Sequence, residues 1–253
     1  MNKLSFTRFG SLPYANQEAF NTLCTNITFA GSSMHRVMVT SCHAAEGKTY
    51  VSMNILRSMA QLGYNVVLVD CDLRRSQIKG RYGIQIDNGD GRGMTHYLSG
   101  QCNIEDILYE TNIPGAYYIP VGQEVKNSLA LLQDERLKMC MDQLAKVFNY
   151  VIVDAPPVGV IIDAATIATA CDGTLIVVKY NSVASKELIS VKEQIERSGS
   201  EVLGTVLNDV SFESLSSKKY YNKYGNPYYS SSYYLPSNEE KTSKRRRGRG
   251  DNE

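Results

Sequence analysis

Residues 36–49 read RVMVTSCHAAEGKT, and this stretch is the strongest indication of the fold class. Residues 36–40 predict a short buried strand, because three apolar residues follow one another in it. Residues 50–63, YVSMNILRSMAQLG, predict a helix that continues from Gly47-Lys48-Thr49 and stops at a glycine. A Gly-Lys-Thr turn between a buried strand and a helix is typical of the end of a phosphate-binding loop.

The residue types of this turn suit the binding of a nucleotide. Backbone N–H groups at a helix start carry a positive partial charge that favours an anion. Gly47 lets the backbone approach the phosphates, the Lys48 amine is predicted to reach the β- and γ-phosphates, and the Thr49 hydroxyl is predicted to ligate Mg²⁺. The predicted nucleotide-binding residues of this loop are Ala45, Glu46, Gly47, Lys48, Thr49 and Tyr50.

The match to the phosphate-loop pattern is incomplete. The first glycine of the usual G-x-x-x-x-G-K-[ST] pattern falls on Cys42. The alternative interpretation is therefore an ordinary helix start with a solvated lysine. Ala44 and Ala45 precede Glu46, and an alanine at position 45 argues against a positive φ there.

Acidic residues follow two further apolar strands. Residues 66–69 predict a buried strand that leads to Asp70 and Asp72, and residues 150–153 predict another that leads to Asp154. Ligands of open α/β sheets bind outside the carboxyl ends of the strands. Carboxylates at this edge can ligate Mg²⁺ or act as a base for an incoming hydroxyl group. An apolar strand that ends in an aspartate, as at Asp154, is typical of a Walker B motif. For Asp72, capping of the next helix is the alternative. Arg74 is predicted to neutralise phosphate charge.

The remaining segments predict an α/β fold of the P-loop NTPase type, with a mostly parallel sheet and helices on both faces. Residues 1–14 predict an extended arm, and residues 75–100 a surface loop with one short helix at 94–98. Further helices are predicted at 16–31, 103–109, 128–148, 163–170 and 184–198, and further strands at 116–120, 174–179 and 202–207. The helix over 128–148 is expected to bury Leu129, Leu132, Leu137, Met141, Leu144 and Val147. We assign residues 1–210, including the N-terminal arm and helix, to one domain.

The composition is that of a globular protein with reduced thiols. A chain of 253 residues can bury a core in one domain, and 43% of its residues are hydrophobic. The formal net charge of +1 gives no general affinity for polyanions, so nucleic acid is not an expected partner. Six scattered cysteines without metal-site spacing, and the lack of a signal peptide or a bilayer-spanning apolar run, predict a cytoplasmic protein.

Residues 211–253 differ from the rest of the chain. They are rich in Tyr, Ser, Asn, Lys and Gly and lack apolar periodicity, which predicts a disordered tail. Seven of the 17 tyrosines form a cluster in it: Tyr220, Tyr221, Tyr224, Tyr228, Tyr229, Tyr233 and Tyr234. Tyrosine phosphorylation would explain the cluster, and a sticky low-complexity tail is the alternative. The arginines at 245–247 and 249 predict either contact with an anionic membrane or a solvated charge run.

Three motifs and the tail together resemble the bacterial protein-tyrosine kinases (BY-kinases) of capsule and exopolysaccharide operons. The chain is most similar to the Gram-positive form, whose catalytic domain is a separate cytoplasmic chain. The similarity covers about residues 12–234: TSCHAAEGKT resembles Walker A, VVLVDCDLRR Walker A′ and YVIVDAPPV Walker B, and GMTHYLSG and VLGTVLN resemble further family segments. DCDLR after a P-loop is quite specific, because ordinary P-loop kinases lack it.

The resemblance implies a site. Lys48 and Thr49 hold ATP and Mg²⁺, Asp70 is the base that activates the tyrosine hydroxyl, and Asp72 and Asp154 organise the Mg²⁺ shell together with Thr49. Asn208 contacts the adenine, and the seven clustered tyrosines are the phosphate acceptors.

The resemblance also implies partners and a location. Similar kinases phosphorylate one another in a ring, and the cytoplasmic end of a transmembrane polysaccharide co-polymerase activates them. A protein-tyrosine phosphatase reverses the reaction, and the cycle regulates polymer chain length and export. The chain is thus expected at the inner face of the plasma membrane, held there by its partner.

Two departures from the family keep other functions open. The family's N-terminal helix carries Glu-x-x-Arg-x-x-Arg, which joins subunits in the ring, whereas this chain has Glu18, Asn21 and Cys24. The P-loop has Ala44-Ala45 where the family has Pro-Gly. One alternative is an inactive kinase-like scaffold that regulates the same machinery. The other is a deviant-Walker ATPase switch, although such proteins carry an early P-loop lysine and none lies between Thr40 and Glu46.

Overall fold

The computed structural model describes residues 1–159 and 162–210. In these residues the strands are β1 Asn2–Phe6, β2 Arg36–Ser41, β3 Val66–Asp70, β4 Ile84–Asn88, β5 Tyr109–Thr111, β6 Ala116–Ile119, β7 Tyr150–Asp154, β8 Gly173–Lys179 and β9 Glu201–Asn208. The helices are α1 Tyr14–Phe29, α2 Lys48–Gln61, α3 Ile78–Tyr82, α4 Met94–Leu98, α5 Ile104–Ile107, α6 Leu129–Leu132, α7 Glu135–Val147, α8 Asp163–Ala168 and α9 Ser185–Arg197. The predicted tail, with its tyrosines at 220, 221, 224, 228, 229, 233 and 234 and its arginines, lies outside the described residues.

The described strands form one sheet in the order β4-β1-β5-β6-β3-β7-β2-β8-β9. The six strands from β6 to β9 in this order run parallel to one another. β5 pairs antiparallel with β6, and β4 antiparallel with β1. β2 and β3 both border β7, and Asp70 of β3 lies opposite Asp154 of β7 in the register. The loops after β2, β3 and β7 therefore start side by side at the carboxyl edge of the sheet.

Both faces of the sheet are covered, because consecutive side chains of a strand point to opposite sides. Val37 and Val39 of β2 belong to an apolar cluster with residues of α1 and α2, whereas Met38 belongs to a second cluster with residues of α7, α8 and α9. The prediction of a mostly parallel sheet between two layers of helices is confirmed. None of the described helices is both long enough and apolar enough to cross a bilayer.

Residues 2–6 of the predicted extended arm are extended, but they are a strand of the sheet, which the prediction did not include. These residues form β1, which lies between β4 and β5 in the sheet. Leu4 and Phe6 are buried, and they alternate with more exposed neighbours as a half-buried strand requires. The alternating apolar pattern of a half-buried strand is too short here to be recognised in the sequence, because it consists of two apolar residues, Leu4 and Phe6.

Residues 75–100 are more regular than the predicted surface loop. They form α3 and β4 before the expected short helix α4. Gly83 ends α3 with a φ of 62°, and β4 then pairs with β1. Four of the five residues of β4 are exposed, so the strand carries no alternating apolar pattern. The predicted helix at 103–109 is also shorter, because Tyr109 already begins β5.

The single helix predicted over 128–148 is two helices, α6 and α7. Asp134 separates them, and its carboxylate accepts the backbone N–H of Arg136 at 2.9 Å as an N-cap of α7. The prediction that Val147 faces inward is wrong. α7 ends at Val147, which is 71% exposed, and the next residue, Phe148, enters the core instead.

Candidate active site

The loop between β2 and α2, residues 42–47, contains two residues with positive φ. Ala45 has a φ of 63° and Gly47 a φ of 97°. The alanine at position 45 argued against a positive φ there, and the structure nevertheless has one, although the Cβ makes this conformation unfavourable. Gly47 is further constrained by its surroundings, because a Cβ there would lie 2.0 Å from Nδ2 of Asn208.

The start of α2 presents unpaired backbone donors. The first helical hydrogen bond runs from the Val51 N–H to the Gly47 carbonyl at 2.9 Å, so the N–H groups of Lys48, Thr49 and Tyr50 have no acceptor within the helix. This arrangement favours an anion at the helix start. The Tyr50 ring packs edge-to-face on Phe20, with 5.9 Å between ring centroids, so the side chain of this predicted nucleotide-binding residue contacts α1.

Lys48 lies among buried carboxylates. Its Nζ is 3.0 Å from Oδ2 of Asp72, and the two side chains are 10% and 9% exposed. Burial alone would lower the pKa of Lys48, but the charges of Asp154, Asp72 and Asp70 outweigh this effect and raise its pKa. The amine therefore stays protonated at neutral pH.

Asp154 is fixed by two hydroxyl groups of α2. Thr49 Oγ1 donates to one carboxylate oxygen at 2.8 Å, and Ser52 Oγ lies 3.1 Å from the other, its single proton being shared with the Lys48 carbonyl at 3.0 Å. Burial raises the pKa of Asp154, and Lys48 acts against this shift. Sequence reasoning missed Ser52, although it lies three residues after Thr49 and hence on the same face of the helix.

Asp70 is fully buried and surrounded by donors. Its carboxylate accepts hydrogen bonds from the Ser76 hydroxyl, from Tyr118 Oη at 3.3 Å and from the Asp72 N–H at 3.2 Å. Burial raises the pKa of Asp70, and the charge of Asp154 raises it further. Ser76 and Tyr118 were not found from the sequence, because Ser76 lies in a segment predicted as a loop and Tyr118 reaches Asp70 only through the pairing of β6 with β3.

The donor set fits Mg²⁺. Asp70, Asp72 and Asp154 surround the single positive charge of Lys48, and carboxylate oxygens are the hard ligands that Mg²⁺ prefers. Within the described ranges, no three His, Cys, Asp or Glu side chains lie close enough together to hold a metal alone. Mg²⁺ does not require such a cluster, because it uses one or two carboxylates and takes further ligands from water and substrate phosphates. Thr49, Asp72 and Asp154 are the residues that would hold it.

Arg74 and Asn208, both predicted to contact the nucleotide, have protein partners. Arg74 Nε lies 3.0 Å from Asp163 Oδ2 and 2.7 Å from Ser128 Oγ, so it neutralises a buried carboxylate. A contact between Arg74 and a phosphate would require this pair to open. Asn208 Nδ2 donates to the Glu46 carbonyl at 2.9 Å, which places its side chain against the phosphate loop.

Comparisons with known proteins agree with the sequence motifs. A family model described as an AAA domain matches residues 36–204. The chain is 37% identical over 209 residues to the tyrosine-protein kinase CpsD of Streptococcus agalactiae, which covers 83% of this chain and 90% of that protein. The solved kinase domain of the Escherichia coli tyrosine kinase ETK has a TM-score of 0.72 at 26% identity, covering 78% of this chain and 77% of that one.

A more distant likeness concerns the fold alone. The septum site-determining protein MinD of Pyrococcus horikoshii, solved in complex with Mg-ADP, has a TM-score of 0.61 at 18% identity. The match covers 75% of this chain and 76% of that one.

Proposed function

This chain belongs to the bacterial tyrosine-protein kinases of capsule synthesis, and from this premise we propose that it phosphorylates its own C-terminal tyrosines in trans, using ATP and Mg²⁺. The acceptors are the clustered tyrosines at positions 220, 221, 224, 228, 229, 233 and 234. Through the phosphorylation state of this cluster the protein regulates the chain length and export of a capsular or extracellular polysaccharide.

The observation that carries the proposal is the convergence of phosphate loop and carboxylates. Lys48 contacts Asp72, and Thr49 contacts Asp154, across the adjacent carboxyl ends of β2, β3 and β7. A loop that binds the phosphates therefore lies beside the groups that can hold Mg²⁺ and accept a proton. Phosphoryl transfer needs mainly positioning and charge stabilisation, which this arrangement supplies.

Each residue has a defined role in the proposed reaction. The N–H groups at the start of α2 and the Lys48 amine hold the phosphates of ATP, and Thr49, Asp72 and Asp154 would hold Mg²⁺. The ion would supply positive charge to offset the charge that develops on the transferred phosphoryl group. Asp70 removes the proton of the acceptor tyrosine hydroxyl while the tyrosine oxygen bonds to the γ-phosphorus. The bond from that phosphorus to the β–γ bridging oxygen breaks at the same time, and ADP is released.

Asp70 must become accessible for this role. Its carboxylate has no exposed surface, and the Ser76 hydroxyl occupies one of its oxygens. An acceptor tyrosine therefore has to displace Ser76 and reach Asp70 from the side of the segment that follows β3. The raised pKa of Asp70 matches a base that can take and release a proton near neutral pH.

The partners are proposed from the family. We propose a transmembrane polysaccharide co-polymerase as activator, a cognate protein-tyrosine phosphatase, and a cytoplasmic position at the membrane through the activator. Self-association in a ring needs contacts other than the family's two arginines. Cys24 at the second arginine position is buried against α2, with Sγ 3.9 Å from the Ile55 carbonyl, and Asn21 bonds within α1 to Gln17 and Glu18.

Two variants test the proposal with phosphotyrosine as the readout. Lys48→Met removes the phosphate-binding amine and is expected to abolish tail phosphorylation, with the circular dichroism spectrum unchanged. Replacing the seven clustered tyrosines by phenylalanine is expected to remove most phosphotyrosine while ATP binding persists. Unchanged phosphotyrosine in Lys48→Met would contradict the mechanism, and strong signal in the phenylalanine variant would show that the acceptors lie elsewhere.

A further inference from the structure

Glu46 is a buried carboxylate within the phosphate loop. The residue is only 3% exposed, although a negative charge beside bound phosphates is unfavourable. Its two side-chain oxygens are both engaged: Oε2 accepts the His43 N–H at 2.8 Å, and Oε1 accepts the Ser182 hydroxyl at 2.9 Å. The burial of this side chain and the engagement of both its oxygens point to a structural role within the loop.

The contacts of Glu46 join the loop to its neighbours in the sheet. Ser182 follows β8, and its hydroxyl also lies 2.8 Å from the Lys179 carbonyl. Asn208 at the end of β9 donates to the Glu46 carbonyl at 2.9 Å. β8 borders β2 in the sheet, and β9 borders β8. Glu46 is thus held by two segments that lie outside the loop, one through its side chain and one through its backbone.

The loop needs this support at Ala45, whose φ is 63°. A residue with a Cβ keeps a left-handed conformation only when the surrounding structure imposes it. The hydrogen bond from the His43 N–H to the Glu46 side chain spans the turn that contains Ala45, because His43 and Glu46 flank residues 44 and 45. The bond from Glu46 to Ser182 then fixes this closed turn against the segment after β8.

We propose that Glu46 is a positioning residue that holds the phosphate loop in its nucleotide-binding shape by joining the His43 N–H to Ser182. These contacts impose on Ala45 a backbone conformation that a glycine at position 45 would adopt without support. The inference rests on the proposed function, because it concerns the loop that binds ATP. Glu46 acts through the backbone of the loop and contacts no reacting atom. Its geometry matters and its charge does not, since a glutamine can accept the His43 N–H and donate its amide to the Ser182 oxygen.

The test is the affinity for Mg-ADP, measured by titration calorimetry on the full chain. Glu46→Ala is expected to weaken binding about tenfold, because the strained turn is no longer held. Glu46→Gln is expected to bind within about threefold of the unmodified chain. Adding Ala45→Gly to Glu46→Ala is expected to recover most of the loss, since glycine adopts the required φ without support. Ser182→Ala removes the hydrogen bond between the Glu46 side chain and the segment after β8, and it should weaken ADP binding by a smaller factor than Glu46→Ala does.

Glu187→Ala is the matched control. Glu187 contacts the His43 side chain at 2.8 Å, near the same loop, but it makes no bond to the loop backbone, and its removal should leave the ADP affinity unchanged. Unchanged binding in Glu46→Ala, no recovery with Ala45→Gly, or equal losses in Glu46→Gln and Glu46→Ala would each overturn the inference. An unmodified chain that binds no ADP would overturn the proposed function together with it, whereas a chain that binds ADP but makes no phosphotyrosine would overturn the kinase proposal alone.

Discussion

At Asp154, two hydroxyl donors from one helix fix the orientation of a single carboxylate. The hydroxyls of Thr49 and Ser52 each contact a different oxygen, so an amide at this position would leave one hydroxyl facing an NH₂ group. The same carboxylate is proposed to hold Mg²⁺, and the effect of its loss should therefore depend on the metal.

Asp154→Asn is predicted to weaken ADP binding at least about tenfold in the presence of Mg²⁺ and less than about threefold in EDTA. The charge that favours the ion is lost, whereas the backbone donors and Lys48 still bind phosphate. Titration calorimetry with and without EDTA measures both values. Asp90→Asn is the control, because Asp90 is exposed and, among residues 1–159 and 162–210, forms its ion pair with Arg92. An equal loss of ADP affinity with Mg²⁺ and with EDTA would show that Asp154 has a structural role alone.

The motif residues of the site could be predicted from sequence because their spacing is local. Lys48 and Thr49 lie in one turn, and Asp70 and Asp154 each end an apolar strand. The partners that orient them could not be predicted in the same way. Tyr118 meets Asp70 across two paired strands, and Ser182 meets Glu46 across 136 residues of sequence. Such contacts depend on the strand order, which spacing does not reveal.

Among the elements, the segment between β1 and α1 is attached to α2 by one aromatic residue. The Arg57 guanidinium carbon lies 3.4 Å from the centroid of the Phe9 ring, and Arg57 also donates to the Phe9 carbonyl at 3.3 Å. Phe9 packs edge-to-face on Tyr82, with 5.0 Å between the ring centroids. The described residues include no acidic partner for Arg57, so the ring is its main electrostatic contact.

Phe9→Ala is predicted to lower the free energy of unfolding by about 3 kcal/mol, from lost burial together with a lost cation–π contact. Urea unfolding followed by circular dichroism measures this change. Phe29→Ala is a control of the same chemistry, because Phe29 is 81% exposed at the end of α1, and its change should stay within about 0.5 kcal/mol. A Phe9→Ala variant as stable as Phe29→Ala would show that the segment is not attached by this ring.

The starts of β2 and β8 are joined by an ion pair. Asp172 accepts the backbone N–H of Arg36 at 2.7 Å and its Nε at 3.1 Å, together with the His35 N–H at 3.0 Å. Burial alone would raise the pKa of Asp172, but the hydrogen bonds and charge of Arg36 outweigh it and hold the pKa below its ordinary value. A carboxyl group with a lowered folded pKa stabilises the fold above its unfolded pKa, and this contribution is lost as the pH falls through the folded value.

Asp172→Asn is therefore predicted to be less stable than the unmodified chain by about 1–3 kcal/mol at pH 7. The difference in the free energy of unfolding should persist to about pH 5 and narrow as the pH falls below about 4, where Asp172 takes up its proton first in the unfolded state and then, below its lowered pKa, in the folded state. Urea unfolding at pH 7, 5 and 3.5 checks this profile. Asp142→Asn, which removes the more exposed partner of Arg36, should have a smaller effect. A difference that does not vary with pH would show that charge contributes nothing here.

Elements that lie in the parallel part of the sheet were predictable, whereas those at its far edge were not. β2, β3 and β7 are continuous apolar runs, and their burial on both sides produces that pattern. β1 and β4 are short and partly exposed, so tertiary pairing decides their structure and local sequence does not. The division of residues 128–148 into two helices follows from the Asp134 cap, which was overlooked within a helical pattern.

For the whole molecule, the decisive question is whether the folded domain acts on the tail. The formal net charge of the chain is +1, and lysines and arginines outnumber acidic residues in residues 211–253. Each phosphate on a tyrosine adds about −1.5 to −2 charge, so phosphorylation of the cluster would reverse the sign of the tail. The boundary at residue 210 and the disorder of the tail stay predictions from composition.

Whether the folded domain phosphorylates the tail is measured by mapping phosphotyrosine by mass spectrometry on the full chain after incubation with ATP and Mg²⁺. The chain is assayed alone and fused to the cytoplasmic segment of its proposed activator, and each form is compared with Asp70→Asn. Phosphate is expected on the tyrosines between positions 220 and 234, and it is expected to be lost in Asp70→Asn while ATP still binds. ATP binding without phosphotyrosine, even in the fused form, would contradict the proposed kinase activity and favour a scaffold or a nucleotide switch.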